Sequence, residues 1–161
     1  MRGGATPAAL LFTALGLALA FAPRRIWGPS LLALCAMLGA LSFLPLPQVW
    51  PEAVFFGCWM SVIATAASVH LVRGIRPGAA LALSLNAGVW AGAVVRLSGS
   101  RLDLVKALPC VLILWPASWV AGRHATVAVK VVSSWVIAVA VLAATLQLLP
   151  VTPGYLPDHL E

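Results

Sequence analysis

Two apolar runs, residues 53–72 and 78–95, are joined by a short turn that carries Arg73 and Arg76, and neither run contains an Asp, Glu, Lys or Arg. At about 1.5 Å per residue, a helix of roughly 20 residues matches a hydrocarbon core of about 30 Å. In lipid the backbone has no water to bond with, so each crossing segment satisfies its own amides as a helix. A turn this short has no room for a domain, and the two helices are expected to be antiparallel neighbours.

The hairpin also predicts how its helices touch. Gly57, Ser61, Thr65 and Ser68 recur at helical spacing in the first run, and Ala80, Ser84, Gly88 and Gly92 recur every four residues in the second. Hydrocarbon solvates Leu as well as another helix does, so association in lipid depends on small residues that let backbones approach and hydroxyls bond across helices. The two stripes are expected to face each other or a neighbouring helix.

The rest of the chain repeats this pattern. Of its 161 residues, 62% are hydrophobic and only 9% charged, against about 25% charged in a soluble domain. Further apolar runs cover 8–22, 26–44, 107–122 and 125–149. The sequence predicts an all-α integral membrane protein, a bundle of about six transmembrane helices over 1–150 with a polar tail at 151–161. Five spans plus a re-entrant segment at 78–95 is the alternative. Arg2 and the Ala18-Leu19-Ala20 triplet give the first run some likeness to a cleaved signal peptide. Arg24 and Arg25, just beyond it, resist translocation and favour a retained helix. Trp27 and Pro29 introduce the second run, and Trp50, Phe55 and Phe56 fit an aromatic belt at an interface. Pro109 and Pro116 predict a broken fifth segment.

Counting cations sets the expected orientation. With six spans, Arg24, Arg25, Arg73, Arg76, Arg123 and Lys130 share one face, and Arg2, Arg96, Arg101 and Lys106 the other. The positive-inside rule then places both termini outside. A re-entrant 78–95 segment brings Arg96, Arg101 and Lys106 to the first group and moves Arg123 and Lys130 to the other, a split of seven to three with the tail inside. The net charge of +6 is scattered between apolar runs rather than gathered on one face, which does not point to nucleic acid. Arg outnumbers Lys eight to two, a bias that fits a GC-rich bacterial genome and an inner (plasma) membrane location.

Chemistry-bearing residues are few. Glu52, Asp103, Asp158 and Glu161 all lie outside the apolar runs, which counts against a proton-coupled carrier. Cys35, Cys58 and Cys110 sit in three different runs and read as apolar filler. His70, Asn86 and Lys130 are the polar groups within or at the ends of the runs. Asn86 reads first as a buried amide that joins helices, with substrate contact the alternative. His70 reads as an interfacial or hydrogen-bonded residue before a metal ligand or proton relay. Lys130 lies about 8 Å into the last run and is expected to extend its ammonium back to the headgroups, an anion or partner site being the alternative. No catalytic set, metal-ligand spacing or cofactor motif is present, so neither catalysis nor a cofactor is expected.

The segment 130–138 (KVVSSWVIA) resembles the last helix of the HupE/UreJ small permeases, which are linked to nickel or cobalt. The histidine-rich first-helix motif of that family is missing here, so no site is carried over. The expected role is a non-catalytic integral subunit or accessory protein of a larger membrane complex. Its expected partners are membrane lipids and other integral subunits or a second copy. A small oligomeric transporter for a solute or metal ion is the alternative.

Overall fold

The computed structural model describes residues 5–44, 51–71, 74–98, 101–122 and 126–148. Among these, 93% are helical and none is in a strand. The helices are α1 (Ala5–Leu19), α2 (Trp27–Phe43), α3 (Pro51–Ala67), α4 (Pro77–Ser98), α5 (Arg101–Ala107), α6 (Leu114–Gly122) and α7 (Thr126–Leu148). Short 3-10 stretches occur at Arg24–Ile26, Ser68–His70 and Leu108–Ile113. Among the described residues, five helical segments are long and apolar enough to cross a membrane: Arg24–Phe43, Pro51–His70, Pro77–Leu97, Leu102–Gly122 and Thr126–Leu146. The shorter α1 is apolar but has only 15 residues, about 22 Å.

That short helix is the centre of the bundle. Ten of its residues are buried, against three in α2, namely Ser30, Leu34 and Leu38. It packs against α3, α4, α5, α6 and α7, while α2 reaches the bundle chiefly through α4. The C-terminal carbonyls of a helix have no partner within it, and at the end of α1 the protein supplies one. The Trp27 indole Nε1 donates to Leu19 O at 2.9 Å and to Ala22 O at 3.3 Å. Arg24 lies over the same indole, 5.7 Å from the ring centroid, within the range of a cation–π contact.

The α3–α4 turn folds back onto this corner. Gly74 adopts φ +71°, a left-handed conformation that costs glycine nothing and most side chains about 1–2 kcal/mol. The reversal buries Ile75 and brings its N–H to within 3.4 Å of Phe21 O. Arg24, Arg25 and Arg76 therefore gather at one end of the bundle, all exposed. Arg73, Arg123 and His124, and the segments 45–50 and 149–161, lie outside the described residues.

The fifth segment departs from the expected boundaries. Helix α5 starts at Arg101, six residues ahead of the predicted 107. Residues 96–106, which lie outside the predicted runs, are thus helical on either side of residues 99–100. Asp103 in the first turn and Lys106 in the last each complement the helix dipole. Beyond α5 the prolines act as predicted. Neither Pro109 nor Pro116 can donate to the carbonyl four residues back, and the chain tightens to a 3-10 helix over Leu108–Ile113 before α6 resumes.

This break presses backbone against α1. A Cβ on Gly16 would lie 2.6 Å from Ile113 Cγ2, 2.9 Å from Val111 O and 3.3 Å from Leu114 N. Two of those three atoms are main chain and have little freedom to yield. Gly16→Ala is therefore expected to destabilise the fold by about 1–3 kcal/mol, read as a lowered thermal midpoint in detergent. Gly39→Ala, with nothing within 4 Å of its Cβ, is expected to leave the midpoint unchanged or slightly raised.

Candidate functional site

The polar side chains of the interior lie along α3, between α4 on one side and α7 on the other. On the α4 side, Gly57 faces the Trp90 indole so closely that a Cβ would overlap the ring. One turn further along α3, Ser61 Oγ accepts a short hydrogen bond from Asn86 Nδ2. A step of four along α3 matches a step of four back along α4, as an antiparallel pair requires. The face of α4 turned to α3 therefore carries Asn86 and Trp90.

The glycine stripe of α4 turns to α2 instead. A Cβ on Gly88 would meet Met37 Cβ at 2.7 Å and Leu34 O at 3.2 Å, and one on Gly92 would meet Leu41 Cδ1 at 2.9 Å. Both helices advance by one turn between these contacts, so α2 and α4 run parallel. Ser84, on the same stripe, is buried and returns its hydroxyl to its own helix, donating to Ala80 O at 3.0 Å.

On the α7 side, Ser133 is fully buried and donates to Ala66 O at 2.7 Å. This bond ties the last helix to a main-chain carbonyl of α3. The next residue, Ser134, lies 3.4 Å from His70 Nε2 in an exposed position. Lys130, one turn before Ser134, is half-buried. His70 and Lys130 thus belong to the α3–α7 end near the basic turn. Asn86 pairs nine residues deeper along α3, about 13 Å away, so the three polar residues do not form one site.

Among the described residues, three buried polar atoms have no hydrogen-bond partner: Ser30 Oγ, Trp59 Nε1 and Thr65 Oγ1. Thr65 belongs to the predicted packing stripe, but Ser30 and Trp59 carry no such signal, and a Ser or Thr in an apolar helix usually bonds its own turn. Thr65 continues the Gly57–Ser61 stripe and is fully buried, yet only its backbone carbonyl is engaged, accepting from Ser68 Oγ at 2.6 Å. Cys58 is buried, Cys110 partly so and Cys35 exposed, and all three are free thiols. Among the described residues no group of three His, Cys, Asp or Glu side chains is placed to hold a metal ion.

The chemistry of this seam is hydrogen bonding between helices. It offers two clasps, Asn86–Ser61 and Ser133–Ala66, but no acid–base pair among the residues described. Comparison with known protein families, curated proteins and solved structures finds no match.

The two hydroxyls of the α3 stripe are expected to respond oppositely to removal. Ser61→Ala strands the Asn86 amide, and Asn86→Ala strands Ser61. Each single change is expected to cost about 0.6–2 kcal/mol, and the double mutant little more than either alone. Thr65→Val removes a hydroxyl that bonds nothing and is expected to be neutral or stabilising by up to about 1 kcal/mol. Thermal or denaturant unfolding of the four variants in one detergent reads both the coupling and the change of sign.

Proposed function

We propose that this chain is an integral protein of a bacterial inner membrane with six spans, serving as a non-catalytic subunit or assembly partner of a larger membrane complex. The reading counts α1 as a span. A helix surrounded by protein has its length set by its neighbours rather than by lipid, and a 15-residue helix suits that position. The outer surface supports a lipid setting: Leu32, Phe43, Val127, Val131 and Leu142 are all exposed, which water would penalise.

The observation that carries the subunit reading is Trp135. It is 67% exposed and lies nine residues, about 14 Å, beyond the start of α7. That is near the middle of a span, whereas lipid-facing Trp belongs at the headgroups, where its N–H meets water. A partner protein supplies both an apolar contact and an acceptor at that depth. Trp115 and Trp119, on the adjoining α6, are 61% and 58% exposed and enlarge the aromatic surface. The broken fifth segment favours the second reading, a small transporter, since interrupted helices line substrate paths in carriers. The cavity between α2, α4 and α5 is lined by other residues than His70, Asn86 and Lys130.

Extraction of the native membrane with mild detergent tests the proposal. The chain is expected to travel in a larger complex. Trp135→Ala is expected to reduce the co-purified partner by tenfold or more, as aromatic anchors at interfaces do, while leaving the thermal midpoint of the chain unchanged. Recovery only as a free monomer, with Trp135→Ala indistinguishable from wild type, would contradict it.

A further inference from the structure

A cavity of about 280 Å³ opens between α2, α4 and α5, lined by Leu38, Ser42, Val95, Arg96, Leu104 and Val105. It lies toward the end of the bundle opposite the Arg24–Arg76 cluster, because parallel α2 and α4 both finish there. Leu38 and Val95 are buried at its back, Leu104 and Val105 line the side from α5, and Arg96, exposed in the last turn of α4, stands at the rim. The Ser42 hydroxyl is spent on its own helix, donating to Leu38 O at 2.8 Å. That leaves Arg96 as the charged group of the lining. Arg96 is exposed and has no ion pair or hydrogen bond among the described residues.

An apolar recess at membrane depth with one unpaired guanidinium at its mouth selects an amphiphile with an anionic head. A free anion makes no use of the Leu and Val walls, and a neutral lipid makes no use of Arg96. The volume falls just under the usual range for sites that enclose a whole small molecule, about 300–1,000 Å³. It suits a head and the first part of one chain, with the rest left in the bilayer. Guanidinium is also the side chain best shaped to bind phosphate through two parallel hydrogen bonds.

We propose that this recess binds one anionic phospholipid, its phosphate on Arg96 and one acyl chain along Leu38 and Leu104. The site rests on the membrane reading above but not on the subunit reading.

Native mass spectrometry of the detergent-solubilised full chain, titrated separately with phosphatidylglycerol and phosphatidylcholine, tests it. One phosphatidylglycerol is expected to bind in preference to phosphatidylcholine. Arg96→Gln is expected to weaken that binding about fivefold, the effect of losing one cation near an anionic head. Arg76→Gln, at the opposite end of the bundle, is expected to leave it unchanged. Leu104→Trp, which fills the recess without altering charge, is expected to weaken it as well. Equal binding of the two lipids by wild type, or equal losses from Arg96→Gln and Arg76→Gln, would overturn the site. Displacement of the bound lipid by millimolar glycerol phosphate would do so too, by assigning the recess to a soluble anion. A chain that stays dispersed without any detergent would instead overturn the membrane reading, and sedimentation in detergent-free buffer records that outcome separately.

Discussion

The structure depends on close approach of helix backbones to a central segment that is apolar on every side. Helix α1 has no polar face to give to water, and at Gly16 it leaves room for Ile113 and the main chain of the broken fifth segment. Five of the other six helices pack on it. At its C-terminal end the Trp27 indole donates to Leu19 O, and the N–H groups of residues 20–22 close onto Gly16, Ala18 and Leu19. In a medium where apolar surface alone does not drive association, such contacts have to come from dispersion at short range and from hydrogen bonds that hydrocarbon cannot replace.

Helix α4 shows how one segment serves two partners. Its glycine face, Gly88 and Gly92, accepts Met37 and Leu41 of α2, and its polar face places Asn86 and Trp90 against Ser61 and Gly57 of α3. The large residue of one helix meets the small residue of the other at each crossing. Gly57 makes the space that Trp90 fills, and Gly88 the space that Met37 fills. Helix α7 is fastened differently, through the Ser133 hydroxyl on the Ala66 carbonyl. These two bonds, Asn86–Ser61 and Ser133–Ala66, fix registers along α3, and among the described residues no charged side chain is fully buried.

The helical class, the tight basic turn and the proline break follow from patterns that survive without tertiary information: run length, glycine and proline chemistry, and the placing of cations. What the sequence hides is which helix lies inside. An amphipathic stripe reports burial only when one face of a helix meets water. Residues 8–22 are apolar on all faces, as a central helix and a lipid-facing helix both are. Gly16 escaped notice for the same reason, since its partners, Ile113 and the main chain at Val111 and Leu114, lie on a segment almost a hundred residues away. Small-residue stripes mark faces without naming their partners, so Gly88 and Gly92 alone do not distinguish α2 from α3. The Asn86–Ser61 bond joins residues on two such faces, and only the register of the antiparallel pair brings them together.

Labelling from within the lipid tests the arrangement around α1 most directly. An apolar diazirine dissolved in the bilayer and activated by light inserts into side chains that face hydrocarbon, and peptide mass spectrometry locates the adducts. With α1 as the enclosed axis, the peptide spanning Ala8 to Leu19 stays unlabelled while those carrying Leu32 and Phe43 of α2 are labelled heavily. Labelling of α1 at the level of α2 would contradict the account.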